Sequence, residues 1–171
     1  MKSFLLKAGM LLSLAACSVS GLSAQQTKAE KKAAQAAKVK SWMDNQNYTF
    51  VAQSALPMGG RLRQLTSEYD VRVTKDSVVS YLPYFGRAYT APLDPTKLPL
   101  DFKSKDFTYT ITPRKKDGWD ITIKPKDVQD VQSLQITVSS DGYSSLQVTS
   151  TSRQPISFNG YVTEIRTKKK K

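Results

Sequence analysis

The chain has 171 residues, with 26 Lys and Arg against 14 Asp and Glu, no histidine, one cysteine and a formal charge of +12. That length suits one domain with one hydrophobic core. The absence of histidine excludes the commonest general base, the usual zinc ligand and every Ser-His-Asp triad, and a lone cysteine excludes a disulfide framework or a thiolate metal site.

The charge is unevenly placed. Lys2 and Lys7, residues 28–40 and residues 166–171 hold most of it, leaving residues 41–165 at a net +1. A nucleic-acid reader would concentrate Lys and Arg on the folded face that meets phosphates, so no nucleic-acid partner is expected. Lys2 and Lys7 open a basic start followed by the apolar residues 8–16, the layout of a secretory signal peptide too short to span a bilayer. Cleavage after Leu22-Ser23-Ala24 gives a signal over 1–24 and leaves Gln25 first. Alternatively Leu14-Ala15-Ala16-Cys17 acts as a lipoprotein box, with a signal over 1–16 and Cys17 acylated. Both place the protein in the periplasm or at the outer membrane, without a transmembrane helix.

Residues 25–46 form the helix and its entry. Thr27 and Glu30 have capping-box spacing, and alanine and lysine favour helix over 27–43. Ala29, Ala33, Ala36, Val39 and Met43 make a thin apolar stripe with Trp42 beside its end, so the last turn is expected to dock on a sheet.

Residues 47–165 then read with a period of two. Tyr48-Thr49-Phe50-Val51-Ala52-Gln53-Ser54 is a strand stopped by Pro57 and Gly59-Gly60. Tyr69-Asp70-Val71-Arg72-Val73 turns through Thr74-Lys75-Asp76 into residues 77–82. Residues 91–99, with three prolines, form an irregular connection. Phe107, Tyr109 and Ile111 alternate with threonines, and Asp117-Gly118 turns into Trp119, Ile121 and Ile123. Leu134, Ile136 and Val138 lead to a turn at Asp141-Gly142 and then to Leu146 and Val148. Asn159-Gly160 reads as a last hairpin between Ile156-Ser157-Phe158 and Tyr161-Val162. Asp-Gly and Asn-Gly between alternating runs are strong hairpin signals, and strict alternation implies one buried face. The expected fold is α+β and mainly β: one N-terminal helix, then a curved antiparallel meander of about seven or eight strands, as a partial barrel or sandwich. Residues 166–171 form a basic tail.

The densest group of large rings is Tyr81, Tyr84, Phe85 and Tyr89 around Pro83 and Gly86, with Arg87 among them. Tyrosine offers an apolar face and a hydroxyl, and arginine pairs with carboxylates, so the set suits a small-molecule, glycan or protein ligand. The alternative is a plug that completes the core at the end of a curled sheet. For an enzyme, carboxylate chemistry remains: Glu68 and Asp70 share a strand face, with Asp101 as a further candidate, in the manner of a hydrolytic pair. Their plainer reading is surface acids. No catalytic residue, metal or cofactor is expected, and a structural envelope role is the third possibility.

Taken together, residues 37–43, Tyr48-Thr49-Phe50-Val51-Ala52, Pro57-Met58-Gly59-Gly60, Leu65-Thr66-Ser67-Glu68-Tyr69-Asp70, residues 76–89 and Ser152-Arg153-Gln154-Pro155-Ile156-Ser157-Phe158-Asn159-Gly160 resemble a secreted family of Bacteroidetes catalogued as domain of unknown function 4251. Residues 81–89 are the most specific part. The resemblance implies an envelope or secreted location in a Gram-negative anaerobe. It implies no activity and carries over no catalytic residue.

Overall fold

A computed structural model describes residues 28–90, 98–115 and 117–165. The signal segment with Cys17, the Thr27 cap, most of the proline-rich connection and the basic tail lie outside the described residues. Helix α1 spans Lys28–Asp44, and nine strands follow: β1 Tyr48–Pro57, β2 Arg63–Val73, β3 Val78–Leu82, β4 Leu100–Ser104, β5 Phe107–Pro113, β6 Trp119–Pro125, β7 Val131–Val138, β8 Tyr143–Ser150 and β9 Ile156–Thr163. The helix buries Val39 and Met43 fully and Trp42 partly, so its last turn is the part that docks.

The strands form one antiparallel sheet in the order β4-β3-β2-β1-β9-β8-β7-β6-β5. Alternation sends Tyr48, Phe50, Val71, Val73, Leu82, Ile121, Ile123, Leu134, Ile136, Leu146 and Phe158 inward. A single-layer sheet with that many apolar side chains on one face must curl to bury them, and this one forms a nearly closed barrel. The chain steps from edge strand β4 to edge strand β5 through Lys105 and Asp106 alone. Asp127 fastens that step: it accepts the Ser104 hydroxyl and the backbone N–H groups of Lys105 at 2.8 Å and Asp106 at 3.3 Å.

The turns at 74–77, Asp117-Gly118 and Asp141-Gly142 fall where the sequence puts them. Gly118 and Gly142 take φ of 97° and 95°, which glycine adopts without strain. The Asn159-Gly160 hairpin is a correction. Both residues lie inside the continuous strand β9, with Gly160 opposite Ala52 and Asn159 opposite Ser54, where an extra residue, Gln53, bulges from β1. A Cβ at Gly160 would sit 1.9 Å from the Val51 carbonyl oxygen, so glycine serves a close backbone approach there, not a turn. The strand count is nine because Leu100–Ser104 adds β4 directly after the prolines, while the undivided β9 counts once.

Candidate functional site

The chain leaves β3 at Leu82 and folds back across the connection between β8 and β9. The Tyr89 N–H donates to the Ser152 carbonyl at 2.7 Å, and the Gln154 N–H donates to the Arg87 carbonyl at 3.1 Å. Between them Ala88 and Arg153 form an antiparallel bridge. The Tyr84 hydroxyl donates to the Arg87 carbonyl at 2.8 Å, with the Gln154 carbonyl 3.1 Å away. Gly86 leaves room for this, because a Cβ there would lie 2.7 Å from the Tyr84 hydroxyl oxygen. Burial holds the Tyr84 phenol above its usual range.

Arg153 supports the loop from beneath. It is 6% exposed, and its guanidinium lies 5.7 Å from the Tyr84 ring centroid, within cation–π reach. One Nη1 donates to the Pro99 carbonyl at 3.1 Å and to the Asp130 carboxylate, which also accepts the Ser152 hydroxyl. The loop, the β8–β9 connection and the β6–β7 turn are thus tied through one buried cation.

The five predicted site residues divide. Tyr84 and Phe85 pack against the core, which is the plug arrangement. Tyr81 is 44% exposed and stacks on Tyr69 with centroids 5.7 Å apart, Tyr89 is 67% exposed, and Arg87 is exposed. Phe85 is also covered from outside by the Arg63 guanidinium at 5.0 Å, which joins the loop to the β1–β2 hairpin. That hairpin exposes Leu56, Met58 and Leu62. Residues 53–67 and 82–90 contain Arg61, Arg63 and Arg87 and no acidic residue. The result is an apolar, aromatic and cationic surface, of which sequence reading found the loop and missed the hairpin and Arg153.

The carboxylates do not meet in a cleft. Asp70, Tyr81 and Asp101 are successive partners across β2, β3 and β4, so the two acids flank Tyr81 on the outer face, two strands apart. Asp70 is held by Arg72 Nε at 2.8 Å, and Glu68 is exposed. Among the described residues no three His, Cys, Asp or Glu side chains gather as metal ligands. A separate open groove of about 360 Å³ lies over the bulge, with Gly160 and Ser144 in its lining together with Gln53, Asn159, Thr137 and Tyr143. Its lining carries no ionised side chain.

Inside the barrel, Tyr48 on β1 and Tyr109 on β5 bring their phenols together. Neither hydroxyl has a hydrogen-bond partner within ordinary distance. Burial, then the Tyr109 phenol, pushes Tyr48 well above the usual tyrosine range, and burial also raises Tyr109.

Fold and surface together define a helix-led antiparallel β-barrel domain whose candidate binding face is built from a loop and a hairpin. The chain belongs to the family described as Domain of unknown function (DUF4251), whose model matches residues 30–162. Among solved structures it is similar to a DUF4251 family protein from Bacteroides eggerthii, with 13% identity, a TM-score of 0.56, and coverage of 78% of this chain and 91% of that one. At that identity the likeness speaks for the fold. No curated protein matches the chain.

Proposed function

We propose that this is an exported envelope protein that acts as a non-enzymatic binding module for an anionic ligand with apolar faces. The observation that carries the reading is the clustering of exposed apolar groups. Of seven large hydrophobic side chains exposed among the described residues, Leu56, Met58, Leu62, Tyr81 and Tyr89 belong to the β1–β2 hairpin or flank the aromatic loop. The two segments are linked by the Arg63–Phe85 contact, and exposed apolar groups with charge beside them are typical of interaction sites. The arginines set the sign of the partner, and rings flanked by guanidinium groups suit a carboxylate-bearing glycan or peptide. The outward spread of Asp70 and Asp101 speaks against the hydrolase alternative.

The test is a calorimetric titration of the mature protein with uronic-acid oligosaccharides and with acidic peptides. Binding that weakens roughly tenfold in Tyr89→Ala and in Arg87→Ala is the expected result. No binding of either ligand, or binding indifferent to both substitutions, overturns the reading. An uncharged oligosaccharide held through Tyr143 and Asn159 would replace it with the groove. Export is tested by mass spectrometry of the native N-terminus: Gln25 first means a free periplasmic module, and acylated Cys17 means a lipid-anchored one. An unprocessed Met1 in the cytoplasmic fraction overturns export.

A further inference from the structure

Strand β5 is an edge, and it carries little of the usual edge protection. Among the described residues it pairs with β6 only. Phe107-Thr108-Tyr109-Thr110-Ile111-Thr112-Pro113 contains no charged side chain, although natural edge strands are usually blunted by charge, proline or a strong twist; of these the sequence has only Pro113, at the strand's last position. Ile111, on the inward-facing side of the strand, is still 36% exposed.

The hydrogen-bond phase of the free edge follows from the ladder ends. Lys126 N–H donates to the Asp106 carbonyl at 2.8 Å and Arg114 N–H to the Gly118 carbonyl at 3.0 Å, so even-numbered residues of this stretch bond toward β6. Antiparallel alternation then turns the N–H and C=O groups of Phe107, Tyr109 and Ile111 outward. Pro113, which has no N–H, falls on the free side, where a proline costs the ladder nothing.

We infer that β5 is a homodimerisation edge that pairs antiparallel with β5 of a second copy about a two-fold axis at Thr110. In that register Tyr109 faces Ile111, and these two exchange both backbone hydrogen bonds. Phe107 N–H meets the Pro113 carbonyl. On the outer face Thr108 meets Thr112 and Thr110 meets its own copy, which are favourable cross-strand pairs. At each end Asp106 of one copy meets Arg114 of the other. Both are in exposed, loosely held ion pairs within the monomer, with Lys126 at 3.4 Å and Asp120 at 3.4 Å, and are free to be shared. Beyond them Lys105 would face Lys115, which marks where the pairing stops. A two-fold axis requires a patch complementary to itself, and this stretch has threonines at symmetric positions about Thr110 and ends of opposite charge, Asp106 and Arg114.

The register makes the test specific. Thr110 would be a non-hydrogen-bonded pair with Cα atoms about 4.5 Å apart, within disulfide range. Mature protein carrying Thr110→Cys is therefore expected to form a covalent dimer on mild oxidation, and Thr108→Cys, which faces Thr112, is not. Thr110→Lys is expected to yield a monomer by sedimentation with unchanged circular dichroism, and mixing it with Thr110→Asp is expected to restore the dimer. A monomer at every concentration that also fails to cross-link overturns the inference. So does a dimer indifferent to Thr110→Lys, or a monomer whose outward β5 amides are protected from hydrogen exchange, which would mean that the chain covers its own edge.

Discussion

Arg153 is buried while the Asp130 carboxylate that pairs with it is 38% exposed, so the cation depends on an acid that water also reaches. The guanidinium divides its donors between that acid and the Pro99 carbonyl and offers its face to Tyr84. No lysine reproduces this fully, because a point charge supplies no planar face to lie against the Tyr84 ring.

Removing the cation should therefore loosen the aromatic loop from below. Arg153→Ala is expected to cost about 3 kcal/mol, the lower end for breaking a buried ion pair because Asp130 is partly solvated. Arg153→Lys should recover less than half of that. Urea unfolding of the three proteins measures both; equal stability of Arg153→Ala and wild type would mean the pair contributes nothing.

The antiparallel meander was legible because its alternation and its Asp-Gly turns are local signals. Gly118 and Gly142 need positive φ, and an aspartate before glycine announces that from sequence. Asn159-Gly160 carries the same letters for another reason, since its glycine makes room for the Val51 carbonyl on a strand distant in sequence. No local pattern distinguishes the two. Strand β4 was hidden because Leu100-Asp101-Phe102-Lys103-Ser104 is short and follows prolines directly. In the candidate site, ring density marked the loop, but Arg153 has no signal of its own: its role exists only once β6–β7, β8–β9 and residue 99 come together. The Leu56, Met58 and Leu62 surface was equally silent, because apolar residues beside a strand read as core.

The Tyr48–Tyr109 pair predicts how the barrel fails in alkali. An unfolded phenol ionises near 10.0, whereas folded Tyr48 and Tyr109 are raised above that by burial. Below 10.0 both states are protonated and the contribution is fully present. As pH rises past 10.0 the unfolded chain alone releases protons, so stability falls until the folded phenols ionise. Ultraviolet tyrosinate titration should show three late phenols, Tyr84 and the Tyr48–Tyr109 pair, and the pair should appear together with loss of near-ultraviolet dichroism. Tyr48→Phe removes a hydroxyl without a partner, so its stability at neutral pH should lie within about 1 kcal/mol of wild type or above it. Its alkaline limb should also be shallower. Ionisation of every tyrosine near 10.0 with the fold intact would contradict this account.

Asp127 predicts the opposite limb. The Ser104 hydroxyl, then the Lys105 N–H, holds its carboxyl down from 3.8 to about 2, although the side chain is fully exposed. A depressed folded pKa means a contribution that is complete above 3.8 and lost as pH falls through about 2. Its loss would release the step between β4 and β5, where the chain passes from one edge strand to the other. Asp127→Asn keeps the shape and removes the titration, so wild type should be the more stable above 3.8, with the gap narrowing toward about 2. Denaturant midpoints across that range measure the gap. Absence of a gap at every pH would show that Asp127 acts by shape alone and that its charge does not hold the Ser104 corner.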